Sequence, residues 1–137
     1  MLKTYSLFTD GGARGNPGHG AVGIVIEKGK EVIFAKGKYL GDDLTNNQAE
    51  YRAIIGGLEV AKKMEIDEIK CFLDSELVVK QLNGEYKVKD AQLKALNEKV
   101  KKLEEDFKKI SFHHIPREKN KLADEMVNEA LDKQVGR

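Results

Sequence analysis

The chain has 137 residues, a formal net charge of +1 and a single cysteine, Cys71. This length fits one domain with one core, spanning residues 1–137. The near-zero charge excludes binding of nucleic acid through a uniformly basic surface. One cysteine in an apolar run excludes a disulfide framework and fits a reducing compartment. Because no apolar run has the length of a signal peptide or a membrane helix, we expect a cytoplasmic protein.

The first predicted strand covers residues 3–8, which are rich in aromatic and hydroxyl side chains. Residues 9–18 read TDGGARGNPG, and we interpret them as a loop that begins where the strand ends, at Asp10. Glycines permit backbone angles closed to other residues, and Asn-Pro-Gly favours a turn. A carboxylate beside bare backbone suggests a metal ion and a phosphate, although a single strand-end Asp is more often a turn former.

Two further strands are predicted at residues 21–27 and 31–40, joined by a turn at residues 28–30. Three strands connected so closely indicate an antiparallel meander. Residues 18–23 fit the dinucleotide pattern G-x-G-x-x-G. A β-branched strand follows them instead of the helix that a pyrophosphate site requires, which argues against a dinucleotide site.

The first helix is predicted from Thr45 to about residue 63, because Thr45 and Gln48 have the spacing of a capping box. Glu50 lies one turn before the apolar stripe of this helix, so its side chain is expected to point toward the sheet. The helix dipole alone favours a Glu in the first turn. Two consecutive Asn residues beside it favour a functional interpretation.

Residues 68–73 predict a fourth strand, followed at once by Asp74 and by a short helix that Ser75 can cap. Strand, helix and strand in this order imply a right-handed crossover and parallel pairing. Asp10 and Asp74 would then follow neighbouring parallel strands, at the sheet edge where such folds bind ligands.

The rest of the chain predicts a helix over residues 90–107, a strand over residues 110–115 and a last helix capped by Asn120, with Asp124 in its first turn. The first of these helices has an apolar stripe that fits either a coiled-coil seam or packing on its own domain. Two heptads are few, so packing is favoured. The stripe consists of Leu93, Leu96, Val100, Leu103 and Phe107.

Four acids, Asp10, Glu50, Asp74 and Asp124, therefore fall at the ends or first turns of predicted elements. Four neighbouring carboxylates repel and raise one another's pKa unless cations neutralise them. Oxygen ligands alone suit Mg²⁺ or Mn²⁺ rather than zinc. Two such ions about 3.5–4 Å apart can activate water and stabilise the leaving oxygen of a phosphodiester.

Four stretches resemble the type 1 ribonuclease H family: TDGGARGNPG, TNNQAEYRAI, LDSELVVKQL and HIPREKNKLADEMVNEA. The resemblance extends from residue 3 to about residue 131. It implies an α/β ribonuclease H-like fold, with a five-stranded mixed sheet of three antiparallel and then two parallel strands, flanked by about four helices. It also implies a monomeric endonuclease that cleaves the RNA strand of RNA–DNA hybrids and leaves 5′-phosphate and 3′-hydroxyl ends.

The resemblance assigns the four acids as metal ligands and catalytic residues, with two Mg²⁺ ions as cofactor and Mn²⁺ as a substitute. Gly11, Asn16, Asn46 and Asn47 are similar to the family's hybrid contacts, and backbone and amide groups can read 2′-hydroxyls across a minor groove. Thr45 lies where the family contacts a phosphate of the DNA strand.

The sequence departs from the family pattern in three places. Glu76 stands where many bacterial members have Gln, which affects an expected RNA contact. Residues 83–90 are too few for the basic insertion that those members carry, so this is the form without the basic protrusion. A loop His assists catalysis in those members, and here either His114 or Arg117 can take that role, with Arg117 favoured because it lies in the loop proper.

Two alternatives remain at this point. Transposases, integrases and junction resolvases share the metal chemistry but lack the TNNQAE and GNPG pieces. A hybrid-binding module without catalysis is the second alternative, and four intact acids argue against it. Double-stranded RNA is a further candidate substrate that the sequence leaves open.

Overall fold

Five strands form one mixed sheet in the order β3-β2-β1-β4-β5, in a computed structural model that describes residues 4–136. Three antiparallel strands and two parallel ones confirm the predicted sheet, and four α-helices flank it. In chain order the elements are β1 (Tyr5–Gly15), β2 (Gly18–Lys28), β3 (Glu31–Leu44), α1 (Asn46–Lys63), β4 (Glu68–Leu73), α2 (Glu76–Leu82), α3 (Ala91–Glu104), β5 (Lys109–His114), a single 3₁₀ turn (Arg117–Lys119) and α4 (Lys121–Val135). Lys3, where the first strand was predicted to start, lies outside the described residues.

The glycine-rich stretch is a strand and not the predicted loop. β1 continues past Asp10 to Gly15 and pairs with β2 along its whole length, so only Asn16 and Pro17 remain as the turn. Gly11 in this stretch serves helix packing instead of a turn. A Cβ added at Gly11 would lie 2.2 Å from the carbonyl carbon of Ala49 in α1. The glycine allows a helix to approach closely.

The parallel pairing of β1 with β4 ends with Thr9 opposite Leu73. Asp10 and Asp74 come directly after this last pair, so the predicted placement of both acids at the carboxyl edge of the parallel strands is confirmed for the β1–β4 pair. On the other side of Asp10, β1 stays paired with β2 alone, with Asp10 opposite Gly23.

The helix α1 covers one face of the sheet and begins with the predicted capping box, in which Thr45 and Gln48 each bond the other's backbone N–H. The stripe of α3 packs into the same core, with Leu93, Val100 and Phe107 buried. Packing within the domain is therefore confirmed over a coiled-coil seam. The α3 helix ends at Glu104, one turn earlier than predicted.

The last helix, α4, packs on the opposite face, over β1, β2 and β3. Two glycines on these strands allow the approach, since a Cβ at Gly23 would lie 2.1 Å from the Ala123 carbonyl oxygen and one at Gly37 would lie 2.2 Å from that of Met126. This close contact brings the first turn of α4 to the sheet edge that carries Asp10 and Asp74.

Within residues 4–136, no helix combines the length and apolar character needed to cross a membrane. Cys71 is buried and free, and burial raises the pKa of its thiol. A protonated, inaccessible thiol is a structural side chain rather than a nucleophile.

Candidate active site

Three carboxyl groups meet at the end of the parallel strands. Asp10, Glu50 and Asp74 each place a carboxylate oxygen within 4.8 Å of the others. β1 and β4 supply the two Asp residues, and the first turns of α1 supply Glu50. Glu50 is held in place by the backbone N–H of Gly11, which donates to its Oε1 atom. The strand β1 therefore orients Glu50 through the Gly11 N–H and also supplies Asp10.

Burial and mutual repulsion favour the neutral forms of these acids when no cation is bound. Burial, followed by the charge of Asp74, raises the pKa of Asp10 to about 7, against an ordinary value of 3.8. Burial and the charge of Asp10 raise the pKa of Glu50 well above its usual range. Both side chains are nearly inaccessible, with 8% and 6% of their surface exposed. Holding two such acids ionised requires positive charge at this point.

Asp124 lies on the other side of the cluster, in the first turn of α4. Its carboxyl group is near enough to Asp10 to contribute to the raised pKa of that residue, through its charge and a hydrogen bond. Arg117 is the nearest cation to it, with Nη2 3.7 Å from Asp124 Oδ1. The structure thus brings together all four acids predicted from the sequence.

A divalent cation fits this donor set. All four residues offer carboxylate oxygens, the ligands of hard ions such as Mg²⁺ and Mn²⁺, and the group lacks the sulfur or imidazole ligands typical of zinc sites. The raised pKa values of Asp10 and Glu50 give a second reason, because a bound cation relieves the repulsion that causes them in part.

Among the predicted contact residues, Asn46 lies beside the acids, and Asn16, which does not line their cleft, is hydrogen-bonded to it. The Oδ1 atom of Asn16 accepts a hydrogen bond from the Asn46 backbone N–H, at 3.0 Å. The Oδ1 atom of Asn46 accepts one from the Ala13 N–H, at 2.9 Å. With both oxygens engaged, the two side-chain NH₂ groups are left as donors toward a ligand.

The acids form one wall of an open cleft of about 490 Å³. Gly11, Asn46, Asn47 and Arg117 line it, whereas Thr45 lies at the helix cap, where its Oγ1 accepts from the Gln48 N–H. Its hydroxyl proton remains a donor. Three further polar side chains line the cleft that were not predicted from the sequence: Arg14, Ser75 and Asn128.

Arg14 could have been found from the sequence, since a cation within a glycine-rich motif beside an acid is unusual. It is fixed by Asp132 of α4, with Nη2 2.6 Å from the carboxylate, and it donates to the Gly136 carbonyl at 2.9 Å. The Ser75 and Asn128 positions carried no such signal.

The structure separates the two candidates for the loop residue. Arg117 lies in the cleft wall, whereas His114 is exposed at the end of β5 and is absent from the lining among residues 4–136. His114 ends β5, in which Phe112 is buried, but the side chain of His114 itself is exposed. Glu76 is likewise exposed, in the first turn of α2 and outside the cleft lining of the described chain.

Asn120 does not cap α4 through its side chain as predicted. Its amide Nδ2 instead donates to the Thr9 carbonyl at 2.9 Å and to Asp74 Oδ2 at 3.0 Å. The backbone of Asn120 still receives the first helical bond, from the Asp124 N–H. The sequence pattern of an Asn before a helix identified the position correctly and its side-chain partner incorrectly.

Fold and acid cluster together define a class of metal-binding α/β domain that known proteins share. A family model described as Reverse transcriptase-like matches residues 8–130. A protein named Ribonuclease HI from Halobacterium salinarum is 42% identical over 95% of this chain. A Ribonuclease H from Ruthia magnifica is 33% identical over 96% of this chain and 98% of its own length. The chain belongs to the type 1 ribonuclease H family.

Solved structures agree with this assignment. The crystal structure of RNase H1 from Halobacterium salinarum has a TM-score of 0.92 at 40% identity, covering 95% of this chain and 98% of the other. LC11-RNase H1, solved in complex with an RNA/DNA hybrid, has a TM-score of 0.89 at 43% identity, again over 95% and 98% of the two chains. The chain spans 65% of the length of the curated Halobacterium protein.

Proposed function

We propose that this protein is a metal-dependent endonuclease that hydrolyses the RNA strand of RNA–DNA hybrids, leaving 5′-phosphate and 3′-hydroxyl ends. The observation that carries the proposal is the meeting of three carboxylates within 4.8 Å, with a fourth beside them, next to amide donors in one open cleft. The related LC11-RNase H1 was solved in complex with an RNA/DNA hybrid, which supports the substrate class.

Asp10, Glu50, Asp74 and Asp124 would hold two Mg²⁺ ions, with Mn²⁺ as a substitute. When bound, such ions supply an activated water and charge stabilisation at the leaving oxygen of an in-line displacement. The protein's part is to fix the four carboxylates at positions where bound cations would hold them ionised. The Gly11 N–H does this for Glu50 from the strand that also carries Asp10.

Discrimination for ribose would come from donors beside the acids. The side-chain NH₂ groups of Asn16 and Asn46 are directed by the bonds that their oxygens accept. With Asn47 and the backbone at Gly11 they form a wall that can donate to 2′-hydroxyls across a minor groove. Thr45 can donate its hydroxyl proton to a phosphate of the DNA strand. Glu76, exposed in the first turn of α2, would present a carboxylate at the position of the expected RNA contact.

Arg117 would act on the phosphate through its charge. A guanidinium does not accept a proton near neutral pH, so a role as general base is excluded. Its Nη2 atom lies 3.7 Å from Asp124 Oδ1, so it is close to the acids. Its side chain is 80% exposed, so it can contact both the scissile phosphate and the product phosphate. Preorganised positive charge of this kind stabilises the developing charge of the transition state.

The segment between α2 and α3, residues 83–90, holds no helix and only two lysines, Lys87 and Lys89. We therefore propose substrate binding by a small number of local phosphate contacts, by a monomer acting in the cytoplasm. Because the net charge is only +1, long-range electrostatic attraction adds little to these phosphate contacts.

The test uses four duplexes of one sequence, each with a labelled strand, in Mg²⁺ buffer. We expect cleavage of the RNA strand in the hybrid, and little cleavage when the RNA residues around the scissile bond lack their 2′-hydroxyls. Double-stranded RNA, the further candidate substrate, is the third arm. An all-DNA duplex cut as fast as the hybrid would show a general nuclease and contradict the proposal.

A further inference from the structure

The four acids of the proposed site lie on β1, on α1, directly after β4 and on α4. Asn120 connects all of these elements except α1. It is the last residue before α4, which carries Asp124, and its amide bonds both β1 and the acid that follows β4. Only 1% of its surface is exposed, so these bonds are made away from water. A single residue therefore contacts the strand that carries Asp10, the Asp74 carboxylate and the first turn that carries Asp124.

The chemistry of the amide suits this position. Both protons of Nδ2 are used, one on the Thr9 carbonyl at 2.9 Å and one on Asp74 Oδ2 at 3.0 Å. An Asp at this position would place carboxylate oxygens against the Thr9 carbonyl and Asp74 Oδ2, which are also acceptors. A Lys would add a positive charge that competes with a metal cation for Asp74. A neutral double donor fixes one oxygen of Asp74 and leaves the carboxylate charge available.

Stability alone does not explain an amide here. The Oδ1 atom of Asn120 is buried without a protein partner among the described residues, and so is the Oγ1 atom of the neighbouring Thr9. Buried polar atoms without partners lower the free energy of unfolding, so Asn120 is a costly choice if its role is only to fill the core. What the position provides is two donated bonds, one to the backbone of the strand that carries Asp10 and one to the Asp74 carboxylate.

We propose that Asn120 is a positioning residue for the metal site, which holds the Asp74 carboxylate in the orientation that a divalent cation needs. This inference rests on the proposed function, because it assigns a role relative to that site. Outer residues that orient metal ligands typically change metal affinity by about 10–100-fold when they are removed.

The experiment measures Mn²⁺ binding by isothermal titration calorimetry, without nucleic acid, for the unsubstituted protein and for Asn120→Ala. Asn83→Ala is the matched control, since Asn83 also donates from Nδ2 to a backbone carbonyl, that of Phe112, but contacts no acid of the site. We expect Asn120→Ala to weaken Mn²⁺ binding at least about tenfold at a temperature where it is folded. Asn83→Ala should stay within about twofold.

Equal Mn²⁺ affinities for Asn120→Ala and Asn83→Ala would overturn the positioning role and leave the metal site intact. Absence of Mn²⁺ binding by the unsubstituted protein would overturn both the metal site and this inference. If Asn120→Ala fails to fold, Asn120→Ser, which keeps one donor, replaces it. An affinity loss of about threefold or more then supports the role, and unchanged affinity overturns it.

Discussion

At the scale of single residues, Asp10 and Glu50 are destabilising acids that the chain retains. Their burial and proximity raise their pKa values, so the metal-free fold has to accommodate negative charge that it does not neutralise. Sites that bind cations commonly show this pattern, because the arrangement that suits the ligand strains the empty protein.

Asp10→Asn should stabilise the metal-free protein, and the gain should depend on pH. The folded pKa of about 7 lies above the ordinary 3.8, so the folded state binds more protons than the unfolded state between these values. Stability of the unsubstituted protein therefore falls as pH rises through this window. At pH 8 in EDTA we expect the variant to be more stable by about 1–3 kcal/mol, with the difference vanishing near pH 4.

Urea unfolding at several pH values measures this difference, with Asp42→Asn, an exposed acid on β3, as the control. Equal stabilities of Asp10→Asn and the unsubstituted protein at pH 8 would show that the cluster is not under electrostatic repulsion. Added Mg²⁺ should stabilise the unsubstituted protein and have little effect on the variant.

Arg117→Ala should slow turnover severalfold with little change in stability. The guanidinium is 80% exposed and its ion pair with Asp124 is long, so its loss should change the unfolding free energy by less than about 1 kcal/mol. Lys119→Ala, an exposed neighbour outside the cleft lining, controls for general charge loss. Steady-state kinetics on a labelled hybrid, with thermal melts alongside, make the measurement.

His114→Ala should leave both turnover and stability close to those of the unsubstituted protein, since the side chain is exposed outside the cleft lining of the described chain. A severalfold loss of turnover in His114→Ala, with turnover of Arg117→Ala unchanged, would transfer the loop role to the histidine.

Prediction from sequence was most successful for residues whose place follows from an element boundary. Asp74 could be located because a strand of six residues ends just before it, and Glu50 because the helix cap at Thr45 sets its phase. The side-chain partners of Asn120 could not be predicted. They depend on which distant strands lie beside Asn120, and local pattern carries no such information.

At the scale of elements, glycines on the strands decide where the helices lie. Gly11, Gly23 and Gly37 each face helix backbone at a distance that no Cβ could occupy. The sequence reading took the glycines of β1 as signs of a loop, because glycine permits turns and close approach alike. Only the packed structure distinguishes these two uses.

Gly23→Ala should displace α4 and with it Asp124. The added methyl would lie 2.1 Å from the Ala123 carbonyl oxygen, so either helix or strand has to move. We expect a loss of about 2–3 kcal/mol in unfolding free energy and reduced hybrid cleavage. Gly12→Ala is the control, since its methyl would meet only Val127 Cγ1 at 3.6 Å, an ordinary contact.

Urea denaturation of both variants measures the effect. A loss of less than about 0.5 kcal/mol for Gly23→Ala, similar to that for Gly12→Ala, would mean that close packing of α4 is not what places Asp124.

At the scale of the whole molecule, the fold could be predicted because local signals agreed with one another. The capping box of α1, the meander of β1–β3 and the crossover to β4 each allow few topologies, and all three agree with the observed strand order. The shape of the cleft could not be predicted, because it arises where residues from β1, α1, β4 and α4 meet.

Hybrid binding should depend only shallowly on salt. The molecule has a net charge of +1 and lacks a basic insertion between α2 and α3, so few phosphates are neutralised. We expect a log–log slope of magnitude about 2–4, since each phosphate contributes about 0.9 on B-form DNA. Fluorescence anisotropy with Asp74→Asn over a KCl series measures it, and a slope near ten would reveal an extended basic surface.

The central claim is that the carboxylates where the parallel pairing of β1 and β4 ends form a metal site that cleaves RNA paired to DNA. Its most direct test is cleavage of a hybrid with a 5′-labelled RNA strand by the unsubstituted protein, Asp10→Asn and Asp74→Asn, each with Mg²⁺ or EDTA. We predict cleavage by the unsubstituted protein with Mg²⁺ alone, and less than about a tenth of that rate for either variant, a barrier increase above about 1.4 kcal/mol. Cleavage that persists in EDTA, or folded variants that keep more than a tenth of the rate, would contradict the account.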